Sequence, residues 1–354
     1  MHVAINSIIR KSTRKDNEKL NIITFPTHER YQSNMADVNA NFWMITSEKI
    51  KKWNEIYAEM PKNHFLLNTN DDFLNLPKDI SFDAVLSQSK YGQYDIAKKI
   101  SKHFHIPLIC LEHTAYIEKE NEILDKNNIN KGRFFGLTNW CEINREKIGN
   151  VNIFISEYSV NSWKFKGKPI IIKHGIDTKK FTNQNLKRKE NVLSIVNDWK
   201  NRDAECGYYL WLDITKNIET KVLGDNPGLS DPAKDIDELV SYYNQSLIFL
   251  NTAIFSPIPT VLLEAMSCGC CVISTKCGMV DQIIKNGENG FISNDKEELK
   301  KYINLCLNNK DLCKKMGENA RKTIVNEFNL ESFVSNWNKA LQYSANKNWW
   351  NYEG

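Results

Sequence analysis

The chain has 354 residues, 41% hydrophobic and 25% charged, with a net charge of +4. That length predicts two domains, since single cores stop growing near ~250–300 residues, and the composition excludes disorder as the default state. The mild positive balance falls short of a dedicated nucleic-acid binder, and no apolar run approaches the ~20 residues that span a bilayer.

Residues 1–20 are polar and read as a loose leader or an irregular edge. They hold no long apolar core with a small-residue cleavage site, so a cytoplasmic location is expected. Short apolar runs then follow as strand candidates: 21–25, closed by Pro26, then 41–45, 64–68 and 82–88. From Lys90 to Phe104 the apolar residues Tyr91, Tyr94, Ile96, Ala97 and Ile100 recur at helical spacing. Residues 106–114 return to a continuous apolar run, which completes a parallel βαβ unit. Two further strands are predicted at 151–158 and 169–177. Strands that are apolar nearly throughout imply a sheet covered on both faces.

The polar stretch 181–190 reads as a linker, after which the pattern restarts. Strands are predicted at 191–196, 219–225, 247–253 and 271–275. Helices are predicted at 238–246, at 260–268 and, in a short form stopped by Gly287, after Met279. The domain boundaries expected are therefore 1–180, 191–328 and a C-terminal helix and tail at 329–354, the last packing back toward the N-terminal domain. Phe333, Trp337 and Leu341 mark that helix, and Trp349, Trp350 and Tyr352 are expected to pack its tail on the body.

The nine cysteines are an odd number. The tight group from Cys268 to Cys277 has no CxxC pair and no nearby histidine, so buried reduced thiols are expected rather than a metal centre. Asp235 and Asp237 form a DxD pair immediately before a helix, where an N-cap role outweighs metal binding.

The segment 256–292 carries the chemistry. Two prolines stiffen a loop ahead of a helix. A helix start offers free N–H groups and partial positive charge, a seat for phosphate. Glu264 lies one turn into the helix, where its carboxylate can accept two ribose hydroxyls. The loop follows the carboxyl end of a strand, where open parallel sheets bind ligands.

This segment, with LLEAMSCGCCVIST, GMVDQII and NGENGFI, resembles the donor-binding motif of the retaining GT-B glycosyltransferases, the glycogen-synthase-like and mannosyltransferase-like enzymes of group 1. KHGIDTKKF, KVLGDNPG and IPLICLEHT resemble shorter stretches of the same family. The resemblance covers residues 80–330 well and the first 80 poorly. It implies an α/β GT-B fold, two Rossmann-like doubly wound domains facing a cleft. It also implies transfer of a hexosyl or pentosyl group from a UDP- or GDP-linked sugar, with retention, no further cofactor and no catalytic metal. Ser256, Ile258, Pro259, Thr260, Val261 and Glu264 are the implied donor-binding residues, with Glu264 on the ribose. His113, Lys200 and Arg202 are implied as catalytic: the histidine near the sugar, the cations on the diphosphate.

Two departures stand out. Ser256 occupies the place of the family's second glutamate and offers one hydroxyl instead of two acceptor oxygens. The glycine-rich loop after the first strand is replaced by FPTHERYQSNMA, in which His28, Glu29 and Arg30 are acceptor-side candidates. The acceptor expected is a surface glycan or its lipid-linked precursor. Hydroxymethylated cytosine in double-stranded viral DNA is an alternative, as is a catalytically silent protein that binds a nucleotide or glycan.

Overall fold

The computed structural model describes residues 2–15, 18–117, 122–127 and 134–347. The chain forms two compact units. The first holds the described residues up to His113, then Ile143–Gly175, and those from Glu331 on; the second holds the described residues of 114–142 and Ile176–Leu330. The tryptophans and tyrosine at 349, 350 and 352 lie outside the described residues.

The first unit is built on seven strands: β1 Leu20–Thr24, β2 Ala40–Thr46, β3 His64–Asn68, β4 Ala84–Ser87, β5 Leu108–Glu112, β6 Val151–Phe154 and β7 Ile170–Ile171. They run in the order β3-β2-β1-β4-β5-β6-β7, and every pair is parallel. Every residue of β4 and β5 is buried, as expected of strands covered on both faces. The helix Gln93–Phe104 lays Tyr94, Ala97, Ile100 and Phe104 into a core shared with Ile23, Phe25, Val85 and Leu108.

The N-terminal residues depart from the loose leader expected of them, because His2–Thr13 is a helix. Its polarity has a use. Arg14 forms a 2.8 Å ion pair with the buried Asp83, and Asp83 also accepts the backbone N–H of Asn21 at 2.8 Å. Burial raises the Asp83 carboxyl pKa, while that N–H and Arg10 and Arg14 pull it back. A buried carboxylate needs such partners, and the basic residues of the N-terminal segment supply them.

The second unit has five strands: β8 Lys189–Ile195, β9 Thr220–Leu223, β10 Ser246–Asn251, β11 Cys271–Ser274 and β12 Phe291–Ile292. The order is β12-β11-β10-β8-β9, all parallel. The stretch 181–190, expected as a linker, falls within this unit, with residues 184–187 exposed and anchors at Phe181 and Arg188. Phe181 is buried, and the Arg188 guanidinium donates to the carbonyls of Tyr243, Ser246 and Cys268 at 2.6–2.8 Å. Polar composition there serves to satisfy backbone carbonyls at strand and helix ends.

Each sheet grows outward in both directions from its first strand. β1 lies between β2 and β4, and β8 lies between β9 and β10. The chain therefore changes direction between β1 and β4 in one sheet and between β8 and β10 in the other. Such switch points open a crevice beyond the carboxyl ends of the strands.

Among the described residues no helix is long and apolar enough to cross a membrane.

Candidate functional site

In the second unit the switch point is flanked by the segments after β8 and β10. The turn after β8 is pinned by Trp199, which is 1% exposed. Its indole N–H donates to the Cys206 carbonyl at 2.9 Å, and its backbone N–H donates to Asn226 Oδ1 at 2.7 Å. Asn226 in turn donates to the Val196 carbonyl at 2.7 Å. Gly224 has φ +124°, and a Cβ there would sit 2.0 Å from the Val196 oxygen, so only glycine lets the ends of β8 and β9 approach. On this braced turn Lys200 and Arg202 are both exposed. The Lys200 ammonium lies 5.8 Å from the centre of the Tyr208 ring.

The segment after β10 is tied to the same turn. The N–H groups of Ile254 and Phe255 donate to the Glu205 carbonyl at 2.8 and 3.0 Å. The Thr252 hydroxyl donates to the carbonyls of Cys206 and Gly207, both at 3.1 Å. On its other side the Pro257 carbonyl accepts from Met279 N–H at 2.9 Å. A Cβ on Gly278 (φ +58°) would stand 2.1 Å from that carbonyl and 2.2 Å from that of Ser256. Two segments, Glu205–Gly207 and Gly278–Met279, thus lock the path of residues 252–259 before the helix Thr260–Ser267 begins.

That helix starts without a side-chain cap, at Pro259. Its opening amides, at Thr260 and Val261, are those an α-helix leaves without an acceptor of its own. Ile258 and Pro259 are buried; Ser256, Thr260 and Val261 are half-exposed. Glu264 is 1% exposed and accepts a 2.9 Å hydrogen bond from the Tyr243 hydroxyl. The six residues expected to bind the donor therefore share one loop and helix start, beyond the carboxyl ends of the strands as Lys200 and Arg202 are. Asp235 caps the helix Ile236–Gln245, its carboxylate accepting Glu238 N–H at 2.8 Å, and Cys268, Cys270, Cys271 and Cys277 are buried free thiols.

In the first unit, His28 follows β1 and His113 follows β5. The two rings meet edge to face with centroids 4.6 Å apart. Tyr31 packs against His113 at 4.6 Å and His174 at 5.4 Å. Burial, then the nearby His28 and His174, drive the His113 pKa well below the ordinary histidine value. Burial and His28 likewise bring His174 to about 4. Both are neutral imidazoles at pH 7. The Nε2 atom of His113 is shielded from solvent and has no hydrogen-bond partner among the described residues. A buried polar atom of that kind is costly unless something completes it.

His28, Glu29 and Arg30 were grouped by sequence, but the structure separates them. Glu29 is buried, ion-paired to Lys51 at 2.8 Å, and accepts Asn54 N–H at 3.2 Å. Arg30 donates to the Tyr57 carbonyl at 3.2 Å. Their side chains brace the segment around 51–57, because the short helix Glu29–Ser33 turns successive residues to different sides. Only His28 joins the histidine cluster. Sequence reasoning missed Tyr31 and Tyr243, whose partners are remote in the chain, and Gly278, whose signal was its place in GMVDQII.

Two parallel, doubly wound sheets, each with a switch point, make two Rossmann-like units. Residues 232–323 match the family model described as glycosyl transferases group 1. An uncharacterized glycosyltransferase of Methanocaldococcus jannaschii is 24% identical over 315 residues, covering 77% of this chain and 78% of its own. Among solved structures, sucrose-phosphate synthase from Thermosynechococcus elongatus superposes with a TM-score of 0.67 at 13% identity, over 92% of this chain and 99% of that one. Anabaena HepE, solved in complex with UDP-glucose, gives 0.66 at 12% identity, over 92% and 100%. Residues 232–323 thus match glycosyl transferases group 1, the curated relatives that match the chain include glycosyltransferases, and the chain shares the GT-B fold of the solved structures it resembles.

Proposed function

We propose that the protein transfers a hexosyl or pentosyl group, with retention, from a nucleoside-diphosphate sugar held at the β8/β10 switch point to a hydroxyl of a surface glycan or its lipid-linked precursor. The observation that carries the reading is the locked loop 252–259, which delivers the amides of Thr260 and Val261 and the carboxylate of Glu264 to one sheet edge. The amides and the helix dipole suit a diphosphate. Glu264, oriented by Tyr243, accepts from the ribose hydroxyls. Lys200 and Arg202 offset the charge that grows on the departing diphosphate, the largest electrostatic demand of the reaction.

On the acceptor side we assign His28, with His113 holding the transferred sugar. A neutral His113 bonds a hydroxyl without adding positive charge, and a sugar hydroxyl would complete its Nε2. Ser256 offers the sugar one hydroxyl partner, where the family pattern that the segment resembles implies a carboxylate. No further cofactor and no metal enter this scheme.

The test is a thermal-shift screen across UDP- and GDP-sugars. A true donor at about 100 times its Kd adds roughly 2.7 kcal/mol of stability. Glu264→Ala should abolish the shift, and a variant that binds donor normally would remove Glu264 from the ribose. Product analysis by NMR then reads the anomeric configuration, and inversion would refute retention. Donor binding without release of nucleotide diphosphate would point instead to a sensor.

A further inference from the structure

Away from the donor loop, three sulfur atoms from three different elements converge. Cys271 opens β11, Cys306 lies in the last turn of the helix Lys296–Leu307, and Cys313 lies in the first turn of the helix Lys310–Glu327. Their Sγ atoms all fall within 4.8 Å of one another. Cys271 and Cys306 are 3.5 Å apart, and the Cys313 thiol donates to the Cys306 carbonyl at 3.2 Å. All three side chains are buried, none more than 2% exposed.

We propose that Cys271, Cys306 and Cys313 form a structural binding site for one soft divalent cation of the zinc group. Thiolates around a zinc ion stand at about 2.3 Å from the metal, which sets sulfur–sulfur separations near ~3.8 Å. The trio brackets that value, with one pair at 3.5 Å and all pairs within 4.8 Å. Thiolate-only ligation selects soft cations over magnesium or calcium.

Charge supports the divalent choice. Three thiolates around a dication leave one negative charge, and the Arg188 guanidinium is the neighbouring positive group. It lies 3.6 Å from the sulfur of Cys270, next in sequence to Cys271. A buried complex close to neutrality avoids most of the cost of burying charge. Binding displaces three thiol protons and requires no oxidant. The cation would staple β11 to two helices at the amino end of the strand. The donor loop packs on Gly278, beyond the other end, so the site is a brace and not part of the transfer chemistry.

The experiment titrates the reduced, metal-free full chain with Cd2+ and follows the ultraviolet thiolate-to-metal absorption. A break at one equivalent is expected, with an unfolding midpoint raised by roughly 5 °C at saturation. Cys306→Ser and Cys313→Ala should each lose the break, while Cys206→Ser should keep it. Should those variants fail to fold, alkylation of the unmutated chain in mild denaturant maps which thiols Cd2+ shields, and these three are expected together. No break, a break that survives loss of Cys306, or shielding of other cysteines overturns the site. So does an air-oxidised Cys271–Cys306 disulfide as the only product of the trio under metal.

Discussion

The Tyr243 hydroxyl donates to the Glu264 carboxylate across 2.9 Å, and both side chains are within 1% of complete burial. One residue is in the helix before β10 and the other in the helix after it. The bond therefore fixes the carboxylate with a group from a different element, and hydrogen bonds to charged acceptors contribute about 1.5–3 kcal/mol. Tyr243→Phe should keep the fold, since the ring remains. It should raise the donor Kd by roughly tenfold, a ~1.4 kcal/mol effect, measured by calorimetry with the donor found in the screen. Unchanged affinity would mean that Glu264 is oriented by other contacts.

Gly278→Ala tests the locked loop. The added methyl would meet two carbonyl oxygens near 2.1 Å at a backbone conformation that disfavours side chains. The loop must shift, and we expect a stability loss of about 2 kcal/mol together with loss of the donor-induced thermal shift. Gly228→Ala is the control. It also has positive φ, yet its Cβ meets nothing within 4 Å, so it should cost stability without abolishing the donor response.

Turnover is expected to depend on the exposed cations more than binding does. Lys200→Ala and Arg202→Ala should each lower kcat by roughly ten- to a hundredfold with a smaller change in KM, since the diphosphate charge they offset grows in the transition state. Steady-state kinetics separates the two. A change confined to KM would assign them to ground-state binding.

The buried histidines set a pH window. Burial lowers His64 and His174 to about 4, and drives His113 well below the ordinary histidine value. The unfolded chain takes up their protons near pH 6.5, while the folded chain does not until near pH 4. More protons bind to the unfolded state across that interval, so stability must fall as pH drops from about 6.5 toward 4 and be flat above it. Each histidine contributes a slope of up to about 1.4 kcal/mol per pH unit. Urea denaturation at several pH values measures it, and His64→Phe should reduce the slope by about a third. A pH-independent midpoint over that range would refute neutral burial.

Duplex DNA as acceptor makes a separate, sharp demand. Phosphate contacts weaken steeply with added salt, so gel-shift affinity for hydroxymethylated duplex should collapse between low and moderate ionic strength. For a glycan acceptor, we expect no retained duplex at any salt concentration and unchanged glycan transfer.

Strands β3, β10 and β11 and the loop 256–259 ahead of its helix were legible because continuous apolar runs and prolines are local signals. His64–Asn68 matches its predicted range residue for residue. The N-terminal helix was not legible, since partners of its basic residues and of Arg14 lie far along the chain: Asp83, 69 residues beyond Arg14, and the Lys347 carbonyl for Lys11. The polar stretch 181–190 misled for the same reason: Arg188 looks like a solvated linker residue until the carbonyls of Tyr243, Ser246 and Cys268 are brought to it. Glu29 and His28 are adjacent in sequence, and only the helical turn shows that one braces a neighbouring segment while the other faces His113.

The first unit draws on chain from both ends of the sequence. Tyr31 receives the indole N–H of Trp337 across 306 positions, and Gly175 must lack a side chain so that Phe333 can lie against it. During synthesis this unit cannot close until its final helix has cleared the ribosome, whereas the second unit is already complete by residue 330. A nascent chain stalled before that helix emerges should therefore expose Tyr31 and its neighbouring histidines to protease while β8–β12 already resist digestion.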